Sequence, residues 1–334
     1  MHIRRNLMAG FASAALVATG LVTVSPAVAA NAAAKSKGTL LMEIELRSNP
    51  SDALMAGGFA VECKKLGYKC EIVGALNSLD VPSSNALATA ALAAGGVVGF
   101  GCYGFEPETY PFMKQVASQY HLPIVSWHIP IPKGTAPGLT ATTLGNPAVG
   151  AALAAKAMGK KLDGKGVVAI TQASFNTIED AVAKAFRATM KKDYPHVTVL
   201  APQIEGTDPA AAVSKATSIL VSNTKITGAF STTGGGATTW SGAAAATGRK
   251  ITIIGTDYVP QNLALLKSGK VFGLMAQPLF QEGEKAAQIL DAAVHHKAVS
   301  YYNPLPEGLV TSANIKTYEG YISSAIKAGV PGLG

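Results

Sequence analysis

The stretch from Ile251 to Gly283 places two polar side chains directly after two predicted strands. It begins as an apolar, β-branched run, typical of a buried strand in a parallel sheet, and this run ends at Gly255-Thr256-Asp257. After an amphipathic segment, a second predicted strand, Val271 to Ala276, ends at Gln277-Pro278. Open α/β sheets bind small molecules beyond the carboxyl ends of their strands. Because no nucleophile–base pair accompanies Asp257 and Gln277, the pattern predicts a site that binds a ligand rather than one that transforms it.

The same alternation of strands and helices runs along the chain and is interrupted once. Before the interruption, predicted strands at 39–46, 68–73, 97–101 and 123–126 alternate with helices. The segment 129–146 is rich in proline and glycine and has no hydrophobic period, which indicates a crossing between lobes. The alternation then resumes. Two successive α/β halves predict an α/β fold with two doubly wound parallel-sheet lobes and a cleft between them.

Residues 1–30 have the three-part layout of a secretory signal peptide. Arg4 and Arg5 precede an uncharged run from Leu7 to Val24, and Ala27-Val28-Ala29 offers a cleavage site. We therefore expect a periplasmic or otherwise exported protein; a retained anchor is the alternative, which the many small residues of the run disfavour. Cleavage would leave 26 basic and 20 acidic residues, a formal charge of +6. The basic residues are spread along the chain, so no nucleic-acid partner is expected.

The three cysteines do not suggest a metal site. Cys63 and Cys70 have six residues between them, and in an exported protein this spacing permits a disulfide, with two free thiols as the open alternative. Cys102 is then left over, and we expect it to be a buried thiol. No histidines accompany the cysteines as zinc ligands. The Gly234–Gly236 run lacks the Lys-Ser/Thr ending of a phosphate-binding loop. We expect neither a metal nor a cofactor.

Six segments follow one another in a fixed order between Thr39 and about Thr311: KLGYKCEIV, YHLPIVSW, VVAITQASFN, FSTT, IIGTDYVPQNLALLKSGKV and LMAQPLFQEG. Together they resemble the type I periplasmic binding proteins of the ribose- and galactose-binding group, the ligand receptors of ABC importers. The resemblance implies a monomer whose two lobes, joined by a three-segment hinge, close over a small molecule. It also implies a membrane permease as partner.

The resemblance implies lobe boundaries as well. The N-terminal lobe is expected to contain 38–143 plus about 279–308. The C-terminal lobe is expected to contain 144–277, plus the return strand and tail from about 309 to 334. The chain should cross between the lobes near Ala141–Gly145, near Gln277-Pro278 and near Leu309-Val310.

Three residues match ligand-binding positions of the family. Asn49 lies where the family has an asparagine after the first strand, Asp257 matches its aspartate and Gln277 its hinge glutamine. A carboxylate accepts hydrogen bonds from paired hydroxyls, and an amide both donates and accepts. Each residue also has a structural alternative. Asn49 could shape an Asn-Pro turn, Asp257 could cap a helix, and Gln277 could serve the hinge alone.

Other positions depart from the family pattern. Where the family has two stacking phenylalanines, this chain has Ser51 and Asp52. Where the family has an Asp-Arg pair and an Asn-Asp pair, it has His128-Ile129 and Thr233-Gly234. The family's second-lobe arginine falls near Val182. The pocket has thus lost charged, bidentate groups, and we expect rings to line it instead, namely Tyr103, Phe105, Trp127, Phe175 or Phe280. This predicts a sugar, polyol or partly aromatic ligand.

Two more side chains complete the candidate site. Asn176 and Asp180 lie one helical turn apart on a face that could look into the cleft, with capping by Asn176 as the alternative. Trp127 and His128 are adjacent, so only one of them should point at the ligand. The full set of ligand-binding candidates is Asn49, Asp52, Tyr103, Phe105, Trp127, His128, Phe175, Asn176, Asp180, Thr233, Asp257 and Gln277.

The sequence thus predicts an exported solute-binding protein that captures a small ligand, foremost a sugar or sugar-like compound, and delivers it to an ABC permease. One alternative keeps the binding fold but gives it a chemoreceptor or sensor kinase as partner. Another is an exported hydrolase that uses His128 with Asp257. The hydrolase is disfavoured because the chain has no nucleophile elbow, paired carboxylates or metal-ligand set.

Overall fold

The computed structural model describes residues 36–76, 80–104, 109–175 and 177–333. The predicted signal peptide, Phe105 and Asn176 lie outside these residues. Within the part described, no helix is long and apolar enough to cross a bilayer.

Strands and helices alternate along the described chain. The first series is β1 (Thr39–Leu46), α1 (Pro50–Lys65), β2 (Lys69–Ala75), α2 (Val81–Ala93), β3 (Val97–Gly101), α3 (Thr109–Tyr120), β4 (Ile124–Trp127) and β5 (Leu139–Leu144). The second is α4 (Pro147–Lys161), β6 (Gly166–Gln172), α5 (Thr177–Asp193), β7 (Val197–Val199), β8 (Gln203–Ile204), α6 (Pro209–Ser222), β9 (Ile226–Ser231), α7 (Gly236–Ala246), β10 (Thr252–Thr256), α8 (Pro260–Lys267) and β11 (Gly273–Ala276). The chain ends with α9 (Leu279–Val294), β12 (Tyr302–Pro304), β13 (Gly308–Val310) and α10 (Ile315–Lys327).

These strands form two sheets, each covered by helices on both faces. The first sheet has the order β12-β5-β4-β3-β1-β2 and is parallel throughout. Helices α1 and α9 cover one of its faces, and α2 and α3 the other. The second sheet has the order β13-β11-β10-β9-β6-β7, with β8 beside β6, and only β13 is antiparallel. The predicted fold class, two doubly wound lobes, is confirmed.

The chain passes between the two sheets three times, at Gly145-Asn146, at Gln277-Pro278 and at 305–307. The third passage lies before the predicted Leu309-Val310, because those residues already pair in β13 of the second sheet. The tail also differs from its predicted place in the C-terminal lobe. Helix α10 packs mainly on α1 of the first lobe and also touches α8.

Buried apolar strands form the core of each lobe. Leu40, Leu41 and Met42 of β1 are fully buried, as expected for a strand that pairs on both sides beneath two layers of helix. The helices α1 and α9 pack with their backbones in contact. A Cβ at Gly58 would collide with the carbonyl oxygen of Phe280, and one at Gly283 with that of Met55. Glycine is therefore required at this helix–helix contact.

The cysteines lie in the first lobe. Cys63 at the end of α1 and Cys70 in β2 are joined by a disulfide bond, with their Cα atoms 6.0 Å apart. The turn between them passes through Gly67, whose φ of +87° is in the left-handed region that favours glycine. Cys102 is a buried free thiol whose Sγ donates to Glu43 Oε2 at 3.2 Å.

Candidate ligand-binding cleft

A cavity of about 660 Å³ lies between the lobes and is lined by both of them. The first lobe contributes the turn after β1 and the start of α1, with Tyr103 and His128 from the ends of β3 and β4. The second lobe contributes the loops after β8, β9 and β10. These are carboxyl ends of parallel strands, where open α/β sheets bind ligands. The volume lies in the range typical of small-molecule sites.

Asp257 connects the two lobes. Its Oδ1 accepts a hydrogen bond from Gln277 Nε2 at 2.9 Å, and its Oδ2 accepts one from Ser51 Oγ of the first lobe, also at 2.9 Å. The side chain is only 5% exposed, and burial raises its pKa, while the two hydrogen bonds act in the opposite direction. A carboxylate has about four acceptor positions, so each oxygen retains capacity for a ligand donor.

The backbone around Asp257 is held in an unusual conformation. Its φ of +66° is in the left-handed region, which costs free energy for a residue other than glycine. Asn262 stabilises this turn because its Nδ2 donates to the carbonyl oxygens of Thr256 at 2.9 Å, Asp257 at 3.1 Å and Gly234 at 2.8 Å. The turn aims the carboxylate at the cleft rather than along the strand.

His128 lies on the first-lobe wall of the cleft, against a buried acid. Its ring stacks on Tyr103, with centroids 6.1 Å apart, and its Nδ1 is 3.1 Å from Glu282 Oε2. Burial lowers the pKa of His128, but the charge and hydrogen bond of Glu282 outweigh it, and the net result is a pKa of about 9. Glu282 Oε1 also accepts from the backbone N–H of Gly145 at 3.0 Å. Glu282 of α9 therefore links His128, at the end of β4, to Gly145 in the first crossing.

Asn49 and Asp52 stand at the start of α1. Asn49 caps the helix by accepting from Ser51 N at 3.0 Å, and it also lines the cavity. Asp52 lines the cavity while its Oδ2 accepts from Leu46 N at 2.8 Å, and burial raises its pKa to about 7. The position of Asn49 is thus compatible with both roles weighed for it, an Asn-Pro turn and ligand contact, and the structure adds capping of α1.

Several candidates lie away from the cavity. Trp127 is fully buried behind Tyr103, so of the adjacent pair only His128 lines the cleft. Phe175 is 66% exposed and does not line the cavity. Asp180 is exposed and accepts from Gln172 Nε2 at 2.9 Å. Phe280 is buried against Tyr321.

Tyr103, His128, Thr233 and Asp257 line the cavity together with Asn49 and Asp52. Gln277 does not line the cavity itself but donates a hydrogen bond to Asp257, which does. Phe105 and Asn176 fall on residues that the structure does not describe. The expected ring-lined pocket is reduced to Tyr103 and His128 among the described residues, and the remaining wall is polar or aliphatic.

The sequence prediction missed Glu205. It follows the two-residue strand β8, is 5% exposed and lines the second-lobe wall. Its Oε1 accepts from Thr233 Oγ1 at 2.7 Å and from Ser231 Oγ at 3.1 Å. A strand of two residues has too few positions to show a period, so Glu205 was not recognised as a strand-end residue. The available signal was its place three residues before the Asp208-Pro209 helix start.

Comparison with known proteins supports this architecture. A family model described as "periplasmic binding protein domain" matches residues 45–298. Among solved structures, a glucose-galactose binding protein from Geobacillus stearothermophilus is 20% identical, with a TM-score of 0.71, over 84% of this chain and 99% of that one. An arabinose binding protein from the same organism is 20% identical, with a TM-score of 0.75 and the same coverage.

A further similar structure is an ABC transporter solute binding protein from Burkholderia graminis in complex with D-arabinose. It is 21% identical, with a TM-score of 0.71, over 85% of this chain and 98% of that one. At these identities the likeness establishes the fold. No relative was found among curated protein sequences.

Proposed function

The chain belongs to the periplasmic binding protein domain family, and from this premise we propose that it is an exported solute-binding protein. In this proposal it captures a small hydroxylated solute, a sugar or sugar-like compound, between its lobes and presents it to the permease of an ABC importer. The similar structures support the solute class, because they include glucose-galactose, arabinose and D-arabinose binders.

The observation that carries the proposal is Asp257 at the carboxyl end of β10. It is buried between lobes, and its two oxygens are oriented by Ser51 from one lobe and Gln277 from the second crossing. Carboxylates held by such partners bind paired hydroxyl groups strongly because the hydrogen bonds are charge-assisted. A solute bound there would contact both lobes and the hinge at once.

Solute binding then favours the closed arrangement of the lobes. A ligand shifts a conformational equilibrium only through its differential affinity for the two states. Ser51 of the first lobe donates to Asp257, and Asn49 and His128 of the same lobe line the cavity, so a solute at Asp257 contacts first-lobe groups only when the lobes are together. The three crossings act as the hinge of this motion, as in other two-lobed binding proteins.

The proposal involves no chemical reaction. His128, the most obvious acid–base group of the cleft, has its Nδ1 engaged with Glu282. Among the described residues, no group of three or more metal-ligating side chains is present. In this proposal the polar groups of the cleft serve to bind the solute.

A thermal-shift panel of sugars, polyols, nucleosides and small aromatic compounds tests the proposal. A solute at 100 times its Kd stabilises the folded protein by about 2.7 kcal/mol. We expect one class to raise the melting temperature, and deletion of the gene to abolish uptake of that radiolabelled solute. Turnover of a chromogenic glycoside without any thermal shift would contradict the proposal. Loss of chemotaxis with uptake intact would assign the partner to a sensor instead.

A further inference from the structure

The cleft has more acidic groups than a neutral sugar requires. Asp52, Glu205 and Asp257 all line it, and none of the described lining residues is lysine or arginine. His128 is the only described lining residue that can carry a positive charge, and it is bonded to Glu282, which is 1% exposed. Buried carboxylates without a counter-charge are costly, because the low dielectric of the interior penalises each unpaired charge.

Glu205 is the least satisfied of these acids. Its Oε1 holds two hydroxyl donors, but Oε2 is buried and has no hydrogen-bond partner among the described residues. Asp257 differs, because each of its oxygens already has a donor. A buried oxygen of a charged group that lacks a donor is rare in native proteins. Glu205 lines the cleft wall, so a donor group of the ligand that reaches Oε2 would satisfy it.

The positions of the two acids define how a ligand would bridge them. Thr233 donates to Glu205, and its neighbour Gly234 lies against Asp257, since a Cβ added there would be 3.0 Å from Asp257 Oδ2. One dipeptide, Thr233-Gly234, thus separates the two carboxylates along the second-lobe wall. A solute that lies along this dipeptide would place different groups at the two acids.

We infer that the solute carries a protonated amine, which Glu205 binds, while its hydroxyl groups bind at Asp257. The inference rests on the proposed function and specifies the solute class as an amino sugar or amino polyol. A neutral hydroxyl would fill the acceptor position of Glu205 Oε2 but leave its charge uncompensated. An ammonium group satisfies both the hydrogen bond and the charge, and it matches the excess of acidic groups in the cleft.

Matched solute pairs test the inference by isothermal titration calorimetry. The pairs are D-glucose and D-glucosamine, D-galactose and D-galactosamine, and sorbitol and its 1-amino-1-deoxy derivative, at about pH 6.5, where such amines are protonated. We expect the amine of at least one pair to bind about 10- to 100-fold more tightly than its neutral partner, the range of one charge-assisted hydrogen bond.

The variant Glu205→Gln identifies the responsible residue. Its amide oxygen can still accept from Ser231 and Thr233, so the wall is preserved while the charge is removed. We expect the preference for the amine to disappear, so that the Kd values of the amine and its neutral partner for the variant lie within about threefold of each other. The control Glu319→Gln, an exposed acid paired with Lys267 outside the cleft, should leave the preference unchanged.

Two results would overturn the inference. Neutral solutes that bind as tightly as their amines would refute it while leaving the proposed function intact, and so would an amine preference that persists in Glu205→Gln. If no solute of any class produces binding heat, the proposed function fails and the inference fails with it. Even if the variant does not fold, the ratio of the two Kd values for the wild-type protein shows whether the amine is preferred.

Discussion

The His128–Glu282 pair at the hinge yields a quantitative prediction about stability and pH. The pKa of His128 is raised from 6.5 to about 9 in the folded protein. Because the folded state binds the proton more tightly, the pair stabilises the protein fully below pH 6.5, and this contribution is lost as the pH rises through about 9. At 1.36 kcal/mol per pKa unit, the contribution is about 3 kcal/mol.

The variant Glu282→Gln removes the charge but keeps the shape of the side chain. Its amide oxygen can still accept from Gly145 N, so the first crossing retains that contact. We expect the variant to lose about 3 kcal/mol of unfolding free energy near pH 6, and to lose little near pH 10. Urea unfolding at a series of pH values measures the difference between wild type and variant directly.

The pair Lys267–Glu319 provides a matched control. Its N–O distance is 3.1 Å, as in the His128–Glu282 pair, but Lys267 is 72% exposed and Glu319 39% exposed. Exposed ion pairs are screened by water and contribute little. Glu319→Gln should therefore unfold like wild type across the same pH range. If the Glu282→Gln difference is equally small at pH 6, or equally large at pH 6 and pH 10, the reasoning is refuted.

Three further predictions follow from the cleft and the first lobe. Replacing both Cys63 and Cys70 by serine should lower the unfolding free energy by about 2 kcal/mol, because the bond closes a short loop, and reducing agent should then have no further effect on urea unfolding. Gly234→Ala should weaken solute binding about tenfold in calorimetry, because its Cβ would lie 3.0 Å from Asp257 Oδ2; unchanged affinity would contradict this. Phe175→Ala should change neither affinity nor melting temperature, because the ring is 66% exposed and outside the cavity, and a loss of affinity would restore the aromatic-wall interpretation.

The fold was predictable because local patterns and topology rules act together. Continuous apolar runs such as Ile251 to Gly255 identify buried parallel strands, and the alternation with helices allows few arrangements. The prediction was less accurate where pairing is non-local. Strand β13 is only three residues long and pairs antiparallel to β11, so the third crossing was placed too late. The docking of α10 on α1 depends on surfaces that no local pattern reveals.

The location of a candidate site residue was predictable where the residue follows a clear strand. Asp257 and His128 were placed correctly at strand ends, and both adopt positive φ there. The aromatic side chains were harder to place, because the sequence does not show whether a ring faces the cleft or packs in the core behind it. Trp127 and Phe280 are both buried in packing contacts behind the cleft wall. Glu205 was missed because β8 is too short to show a period, and Glu282 because its partner His128 lies 154 residues away in sequence.

Calorimetry of the Asp257→Asn variant is the most direct test of the central claim that this cleft binds a solute. The amide keeps an acceptor oxygen and the size of the side chain but loses the charge that strengthens both hydrogen bonds. For the solute that stabilises wild type most, we predict one binding site per chain, with affinity falling about 10- to 100-fold in Asp257→Asn. Binding with unchanged affinity and stoichiometry in the variant would contradict the account, because the solute would then bind outside this cleft.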